Sequence, residues 1–290
     1  MIEPIIKRVT LPHNDKYYLY LTSDLHIDES DFDKEFFTEE FESAKERGAR
    51  IYINGDVFSI LLPGDRKRFT MSSVGGQKNV DALMNQAIDM AYENLKPYVN
   101  LIDGIGDGNH EAVVVKYHSF DPIKDLIARL NAIRDIEKYG RIVFMDYEGW
   151  IRFAFKKPNK SLAVYTIDVY YNHGQGGKAE VTRGTIDLQR RGHKNAHLIW
   201  LGHKHTRISM DLDPIEGISA QNKLYEKERR GIITGCYKKR HKIITQEQRE
   251  KNGYSPEFSK ERFRTSISKG GAFVTFRRRG KNGVLFRVAM

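Results

Sequence analysis

The stretch LIDGIGDGNHE, residues 101–111, decides the fold of this chain. Its apolar run gives way to three glycines, which are followed directly by Asn109, His110 and Glu111. This order is typical of a strand that ends in a tight turn and opens a helix, where backbone and polar groups surround a small anionic or metal-bound ligand. Three adjacent polar side chains cannot all be buried without partners, so the stretch predicts a binding site.

Polar side chains also close four other apolar runs of the sequence. The residues that follow these runs are Asp24, His26, Asp56, His173, His203 and His205. Ligands of open α/β sheets bind outside the carboxyl ends of the strands. We therefore expect the fold to gather these side chains beside Asn109 and His110, on one edge of a sheet.

The apolar pattern alternates between strands and helices and later changes to strands. Helical spacing predicts helices within residues 32–47, 80–95 and 121–139, the first ended by Gly48 and the third by Gly140. A further helix is expected to end near Arg191. Strands are predicted at residues 17–22, 50–54, 101–105, 142–144, 150–155, 162–171, 197–201, 208–212 and 231–237, and in a hairpin of residues 272–276 and 284–288.

Length and composition fit one globular domain. With 290 residues, 40% of them apolar, the chain can bury a sizeable core. We expect a single domain over residues 1–290, with a basic insertion at residues 238–270. No signal-peptide pattern and no run of about 18 apolar residues is present, so we expect a soluble, cytoplasmic protein with no membrane partner. The oligomeric state is left open.

The basic residues are concentrated in the last quarter of the chain. Residues 223–290 contain 19 Lys and Arg and 6 Glu, a balance of +13, and the net charge of +10 leaves −3 for residues 1–222. A positive face suits a polyanion, although a charged run is also common on an ordinary solvated surface. Nucleic acid, with DNA favoured, is the partner we expect.

The donors that follow the apolar runs fit a pair of metal ions. Cys236 is the only cysteine, so a disulfide within the chain is excluded and a metal must be held by nitrogen and oxygen. Seven donors exceed what one ion with an open position needs: Asp24, His26, Asp56, Asn109, His173, His203 and His205. Two ions about 3.5 to 4 Å apart would activate a bridging water for attack on a phosphate ester. We expect two divalent ions per chain, Mn first, with Fe, Zn or Mg as alternatives.

Five blocks of the sequence resemble the calcineurin-like metallophosphoesterases. In the order of that family they are Asp24-Leu25-His26, Gly55-Asp56, Gly108-Asn109-His110-Glu111, His173-Gly174 and Gly202-His203-Lys204-His205. The resemblance implies an α/β fold in which two mixed β-sheets pack as a sandwich flanked by helices, in four α/β/β/α layers. It also implies that the site lies at the carboxyl ends of the strands.

The resemblance assigns a role to each residue of the blocks. Asp24, His26 and His205 would hold one ion, and Asn109, His173 and His203 would hold the other. Asp56 would bridge the two ions. His110 would face the phosphate as general acid or as a partner of the developing negative charge.

One departure from the family's pattern concerns the second block. The protein Ser/Thr phosphatases continue it with an Asp and an Arg, whereas here Asp56 is followed by Val57, Phe58 and Ser59. Ser59 therefore leaves His110 without an acidic partner at that spacing. The blocks look more like the nuclease branch, which includes the SbcD-type DNA repair nucleases, and like the branch that hydrolyses pyrophosphate bonds in lipid precursors.

Several cationic side chains outside the blocks are expected to contact substrate. They are Arg66, Arg68, Lys178, Arg183, Arg277, Arg278 and Arg279. Three hypotheses follow for the whole chain. The first is a two-metal phosphodiesterase or nuclease, which the basic last quarter favours. The second is a hydrolase of small phosphomonoesters or of nucleotide or lipid pyrophosphates, and the third is a binding module without turnover, against which the complete donor set and His110 argue.

Overall fold

The structure is a computed structural model that describes residues 3–12, 15–60, 82–158, 160, 162–177, 181–219, 222–239, 268–279 and 283–290. The strands are β1 (Ile5–Thr10), β2 (Lys16–Thr22), β3 (Arg50–Asn54), β4 (Ile102–Gly106), β5 (Val143–Phe144), β6 (Glu148–Lys156), β7 (Ala163–Asn172), β8 (Leu198–Leu201), β9 (Ile208–Ile218), β10 (Leu224–Ile233), β11 (Ala272–Arg279) and β12 (Gly283–Ala289). The helices are α1 (Lys34–Glu46), α2 (Leu83–Leu95), α3 (Asn109–His118), α4 (Pro122–Ile133), α5 (Ile136–Tyr139) and α6 (Thr185–Arg190).

The strands form two mixed six-stranded sheets. The first sheet has the order β12-β11-β2-β3-β4-β5, in which β2 to β5 are parallel and β11 is antiparallel to both its neighbours. The second has the order β1-β6-β7-β8-β10-β9, in which β7, β8 and β10 are parallel. The predicted fold class, two mixed sheets packed as a sandwich with flanking helices, is confirmed.

Apolar side chains hold the layers together. Between the sheets, Leu19 and Leu21 of β2 belong to the same buried cluster as Phe153 of β6 and Trp200 of β8. On the outer face of the first sheet, the buried sides of α1, α2 and α4 cover the alternate residues of β3 and β4. On the outer face of the second sheet, Leu188 of α6 packs in one cluster with residues of β7, β8 and β10. The result is the expected α/β/β/α order.

The third predicted helix is two helices in the structure. The side chain of Asp121 accepts the backbone N–H of Lys124 and Pro122 occupies the first turn, as the sequence predicts for its start. The helix ends at Ile133, because Arg134 is extended and sends its guanidinium inward to the carbonyls of Val99 and Ile102. The short α5 then runs to Gly140, so that glycine ends α5 rather than α4.

The hairpin of β9 and β10 is longer than predicted. The sequence predicts only residues 208–212 and 231–237, whereas the two strands stay paired from Ile208 and Ile233 out to Ile218 and Leu224. Because β8 pairs with β10 only from Arg230 onward, the outer half of the hairpin has no neighbouring strand on that side. Apolar and charged residues are mixed on both of its faces, with Ile218 and Leu224 exposed, so it lacks the alternation that identifies a half-buried strand.

Two predictions about the whole chain stay predictions. The single domain with a basic insertion at residues 238–270 is one of them, and residues 240–267 lie outside the described part. The other is the location of the protein in the cell. Among the helices that the structure describes, none is both long and apolar enough to cross a membrane.

Candidate metal centre

The predicted ligands lie on the loops that leave the carboxyl ends of β2, β3, β4, β7 and β8. Five of them have a positive φ: Asp24 at 55°, His26 at 48°, Asp56 at 50°, His203 at 65° and His205 at 49°. Such backbone is uncommon outside glycine and costs about 1 to 3 kcal/mol per residue. The concentration of positive φ angles in these loops indicates that the surrounding structure holds the loops in place, as is usual at functional sites.

Two glycines let the loops approach each other closely. A Cβ at Gly55, whose φ is +76°, would lie 2.5 Å from the carbonyl oxygen of Asp107 and from Nδ1 of His173. A Cβ at Gly108 would collide with the carboxylate of Asp56. The glycines of the second and third blocks are therefore required for the β3 and β4 loops to meet.

One cluster of ligand atoms contains Asp24, His26 and His205, whose donor atoms all lie within 4.8 Å of one another. Nε2 of His205 lies 3.3 Å from Oδ1 of Asp24 and 3.2 Å from Nε2 of His26. The second oxygen of Asp24 accepts the hydroxyl of Ser23 and the backbone N–H of His203. Oδ1 of Asp24 shares the His203 N–H at 3.1 Å and lies toward the rings of His26 and His205.

A second cluster contains Asp56, His173 and His203 within the same 4.8 Å limit. Nε2 of His173 lies 3.1 Å from Oδ2 of Asp56. Asp56 also forms a group with His26 and His110, so its carboxylate lies between the first cluster and the second. The structure thus brings together six of the seven predicted ligands: Asp24, His26, Asp56, His173, His203 and His205.

The distal ring nitrogen of each histidine in these clusters has a protein partner. Nδ1 of His173 donates to the carbonyl of Asn54 at 2.6 Å, and Nε2 of His203 donates to that of Gly176 at 2.9 Å. Nδ1 of His26 lies 2.6 Å from the hydroxyl of Ser59. The ring of His205 contacts the thiol of Cys236. Partners of this kind fix the ring and leave the other nitrogen free for a metal.

Two buried donor atoms fit an ion directly. Oδ1 of Asn109 is buried and has no hydrogen-bond partner among the described residues, and Nε2 of His173, also buried, makes no well-formed hydrogen bond there but only faces Oδ2 of Asp56 at 3.1 Å. An unsatisfied buried polar atom is costly, so each calls for a partner. Imidazole, carboxylate and amide donors without a thiolate suit divalent Mn, Fe, Zn or Mg. The residues therefore fit a divalent metal centre.

Opposite charges face each other at the second cluster. Burial pushes the pKa of Asp56 upward, but His173 and His110 hold it well below its usual value. Burial likewise lowers the pKa of His173, but Asp56 raises it to about 9. A proton on His173 can thus balance Asp56 until a cation takes its place, and metal binding should release that proton.

Glu111, whose direction the sequence does not reveal, ties the β3 and β4 loops together. Its fully buried carboxylate accepts the backbone N–H groups of Asp56 at 3.1 Å, Phe58 at 3.0 Å and Gly108 at 2.9 Å. Burial, followed by the nearby Asp56 carboxylate, raises the pKa of Glu111 to about 8, although the backbone N–H groups of Phe58 and of Glu111 itself act in the opposite direction. Glu111 is therefore a support for the centre rather than a ligand of it.

His110 lies half-buried at the start of α3, with its ring centre 5.1 Å from that of His26. Its backbone N–H donates to Asp56, and its Nδ1 donates to the carbonyl of Ser59 at 3.0 Å. Ser59, which has no acidic side chain to offer, thus holds His110 through its backbone carbonyl. One ring nitrogen of His110 lies within 4.8 Å of donor atoms of His26 and Asp56, so His110 borders both clusters.

The predicted substrate contacts are scattered. Exposed Arg183 reaches the hydroxyl of Ser268 at 3.5 Å, and the backbone N–H of Ser268 donates to the carbonyl of His205, so Arg183 lies at the rim of the centre. Arg66, Arg68 and Lys178 lie outside the described residues.

The three hairpin arginines lie away from the centre. Arg277 pairs with Lys16 at the start of β2, whereas Asp24 follows the end of that strand, and Arg278 and Arg279 lie farther still. At about 3.3 Å per residue, β2 separates the two ends by roughly 20 Å. The expectation that these arginines contact a substrate stays a prediction; because β11 is antiparallel to β2, they lie toward the end of β2 opposite to Asp24, so only an extended substrate could contact both them and the centre.

Two residues that support the centre were not predicted from the sequence to do so. Lys204 is buried, donates to the carbonyl of Gln175 at 2.6 Å and pairs with Asp187 at 3.0 Å, so it holds the loop that also accepts His203. The position of Lys204 between the predicted ligands His203 and His205 was the only sequence signal for this role. The hydroxyl of Tyr147 donates to the carbonyl of Gly174, beside His173, and no local sequence pattern indicates this role.

Comparisons with known proteins add distant structural likenesses. No family model and no curated protein matches the chain. A predicted phosphoesterase from Streptococcus pneumoniae is 11% identical, with a TM-score of 0.30, over 94% of this chain and 99% of that one. A metallophosphoesterase from Sphaerobacter thermophilus is 12% identical, with a TM-score of 0.33, over 94% of this chain and 88% of that one. Likenesses this distant leave the function to be argued from the site.

Proposed function

We propose that this chain is a phosphoesterase that uses two divalent ions, with Mn preferred, and that its main substrates are the phosphodiester bonds of nucleic acid. The observation that supports the proposal best is the joined pair of clusters. Two sets of donors meet at Asp56, and each histidine in them has its distal nitrogen held by the protein. A structural site for a single ion would need only about four ligands.

The residues divide the work of hydrolysis between them. A bound pair of ions would lower the pKa of a water molecule between them from about 15.7 toward 7 and would offset the charge of the phosphate. His110 keeps its Nδ1 proton on the carbonyl of Ser59, so its Nε2 can carry the proton that the leaving oxygen needs. Arg183 at the rim can pair with a nonbridging phosphate oxygen.

A specific observation favours a second candidate, hydrolysis of small phosphomonoesters or of nucleotide or lipid pyrophosphates. The hairpin arginines lie at the end of β2 opposite to the centre, so they cannot contact a small substrate there. A nucleic acid must span that distance to use them. Small substrates need no such reach, and their hydrolysis should depend little on salt.

One set of assays tests both candidates. Mn-loaded protein is offered a chromogenic monoester, a chromogenic diester, single-stranded DNA, duplex DNA and RNA, each with and without a chelator. The proposal expects chelator-sensitive cleavage of the diester and of at least one nucleic acid, more strongly at low salt. Cleavage of the monoester alone would support the second candidate. No turnover of any substrate, with two ions bound, would support the binding module.

A further inference from the structure

Ser59 lies between a ligand ring and a buried carboxylate. Its hydroxyl is 2.6 Å from Nδ1 of His26 on one side and donates to Oε1 of Glu29 on the other. Glu29 in turn pairs with Lys238, whose Nζ lies 2.5 Å from Oε2. All four residues are buried or nearly so, with Glu29 and Lys238 showing 14% and 18% of their side chains to solvent.

The donors and acceptors in the hydrogen-bonded series His26, Ser59 and Glu29 allow only one arrangement of the hydrogens. A hydroxyl has one hydrogen, and an ionised carboxylate can only accept. The Ser59 hydrogen therefore goes to Glu29, and the Ser59 oxygen must accept a hydrogen from Nδ1 of His26. His26 then has no hydrogen on Nε2, which faces Nε2 of His205 at 3.2 Å. In the metal-free protein that nitrogen can accept a hydrogen from Nε2 of His205, and a cation held between the two rings would take the place of this hydrogen.

The backbone of Ser59 is itself held. The carboxylate of Asp28 accepts the N–H groups of Ser59 and Ile60, both at 2.7 Å. Lys238 keeps Glu29 ionised despite the burial that opposes it, since burial raises the pKa of Glu29 and the Lys238 charge lowers it below its usual value. The hydroxyl is thus presented to His26 from a fixed position.

We propose that Ser59, fixed by Glu29 and Lys238, is a positioning residue that selects the metal-binding form of His26. The inference rests on the proposed function in that it needs an ion held by Asp24, His26 and His205. Its effect should be confined to that ion, because no other ligand ring contacts the Ser59 hydroxyl in the described part of the chain. Partners of ligand rings affect metal affinity by about 10- to 100-fold.

The first experiment measures binding of Mn to the metal-free protein by calorimetry. Ser59→Ala should weaken one of two ions by about 10- to 100-fold and leave the other within about threefold. Thr185→Ala is the matched control, because it removes a half-buried hydroxyl that donates only to the carbonyl of Thr182. The control should bind both ions like the parent.

The second experiment reads the ring of His26 directly, without turnover. Nitrogen-15 spectra of the histidine rings, in metal-free and Zn-loaded protein, should show the proton of His26 on Nδ1 in the parent. Ser59→Ala should shift the metal-free ring to a mixture of the two neutral forms. A purely structural role for Ser59 would change stability but not this mixture.

A double variant covers the case in which Ser59→Ala does not fold. Glu29→Gln with Lys238→Gln keeps a hydrogen-bonded pair without charge, and it should weaken the same ion and not the other. If the parent binds two ions and the folded variants bind both like the parent, with His26 unchanged, the positioning proposal is overturned and the proposed function stands. If the parent binds no divalent ion, both are overturned.

Discussion

Each histidine of the two clusters is held at one ring nitrogen by a group outside the clusters, and its other nitrogen faces the other predicted ligands. The partners differ in kind: a hydroxyl at His26, backbone carbonyls at His173 and His203, and a thiol at His205. They share one effect, because each fixes a ring so that its remaining nitrogen points into the centre. The carboxylate of Asp56 lies among these nitrogens and is the residue common to both sides.

The shared position of Asp56 gives the first prediction. Asp56→Asn should lower the affinity for both ions by more than about 100-fold, because the amide loses the charge that serves two ions at once. His203→Asn should weaken one ion only. Calorimetric titration with Mn measures both variants, and an Asp56→Asn protein that still binds two ions like the parent would contradict the bridge.

The contacts of His110 give the second prediction. His110→Asn should keep both ions and the fold but lower turnover of a chromogenic diester by roughly 10² to 10⁴, because it removes the group that can carry the leaving-group proton. Metal content and turnover are measured on the same preparation. Loss of an ion in this variant would mean that His110 is a ligand.

At the scale of elements, the centre is made by loops that cannot take up their conformation independently. The β3 loop and the start of α3 are joined through one carboxylate, that of Glu111, and through the absence of side chains at Gly55 and Gly108. The loop after β7 is held by Lys204 from the loop after β8. The parallel strands set the loops side by side, and these polar contacts fix their shapes.

The third prediction concerns Glu111. Glu111→Gln replaces an acceptor oxygen with an N–H₂ group that faces a backbone donor, so it should lower the free energy of unfolding by about 1 to 3 kcal/mol. It should also weaken Mn binding, because Asp56 and Gly108 lose their shared anchor. Urea unfolding checks the first effect. Exposed Glu39→Gln on α1 is the control and should change neither quantity.

The fourth prediction concerns His197 at the start of β8. Burial, with Lys227 nearby, lowers the pKa of His197 to about 4, and its Nδ1 accepts the backbone N–H of Asp168. Between pH 6.5 and 4 the unfolded chain therefore binds a proton that the folded chain does not. Stability is full above pH 6.5 and falls as the pH drops toward 4, by up to roughly 3 kcal/mol.

His197→Asn keeps an acceptor near Nδ1 and cannot titrate, so it should remove this part of the pH dependence. Urea unfolding of metal-free parent and variant is compared at several pH values from 7.5 to 4.5. The parent should lose more stability than the variant as the pH falls. Parallel curves would show that His197 is not the titrating group.

At the scale of the whole molecule, the hairpin arginines and the metal centre lie toward opposite ends of β2. The predicted ligands follow the carboxyl ends of the parallel strands, whereas Arg277, Arg278 and Arg279 lie beside the start of β2. The separation of roughly 20 Å equals about six base pairs of duplex, at 3.4 Å each. A nucleic acid bound at the centre can therefore reach the arginines only if it is longer than about six base pairs.

The fifth prediction is a dependence on substrate length. Changing Arg277, Arg278 and Arg279 together to Ala should weaken binding of a 30-base-pair duplex and flatten its salt dependence by up to about three units in log K per log salt. Hydrolysis of a chromogenic diester and of a four-base-pair duplex should not change. Equal effects on long and short substrates would show that the hairpin acts through the fold, and no effect on any of them would favour a small substrate.

Local patterns were sufficient to predict most of the elements and the side chains that the structure gathers in the two clusters. The apolar run and glycines of residues 101–111 predicted β4 and the start of α3, and residues 50–54 were predicted without error as β3. β1 was missed, and so was the outer half of β9 and β10, because edge strands bury too little to alternate clearly. The break at Arg134 was also missed, since it depends on carbonyls more than thirty residues away.

By itself, the sequence determined the fold class and which side chains form the centre, because a polar residue at the end of a buried strand is a local feature. Only the tertiary structure decided where Ser59 and Glu111 point and how far the hairpin arginines lie from the centre. Hydrogen-bond partners distant in sequence and the antiparallel register of β11 on β2 set these positions. Neither leaves a trace in local composition, because both arise from strands and loops that meet only once the chain has folded.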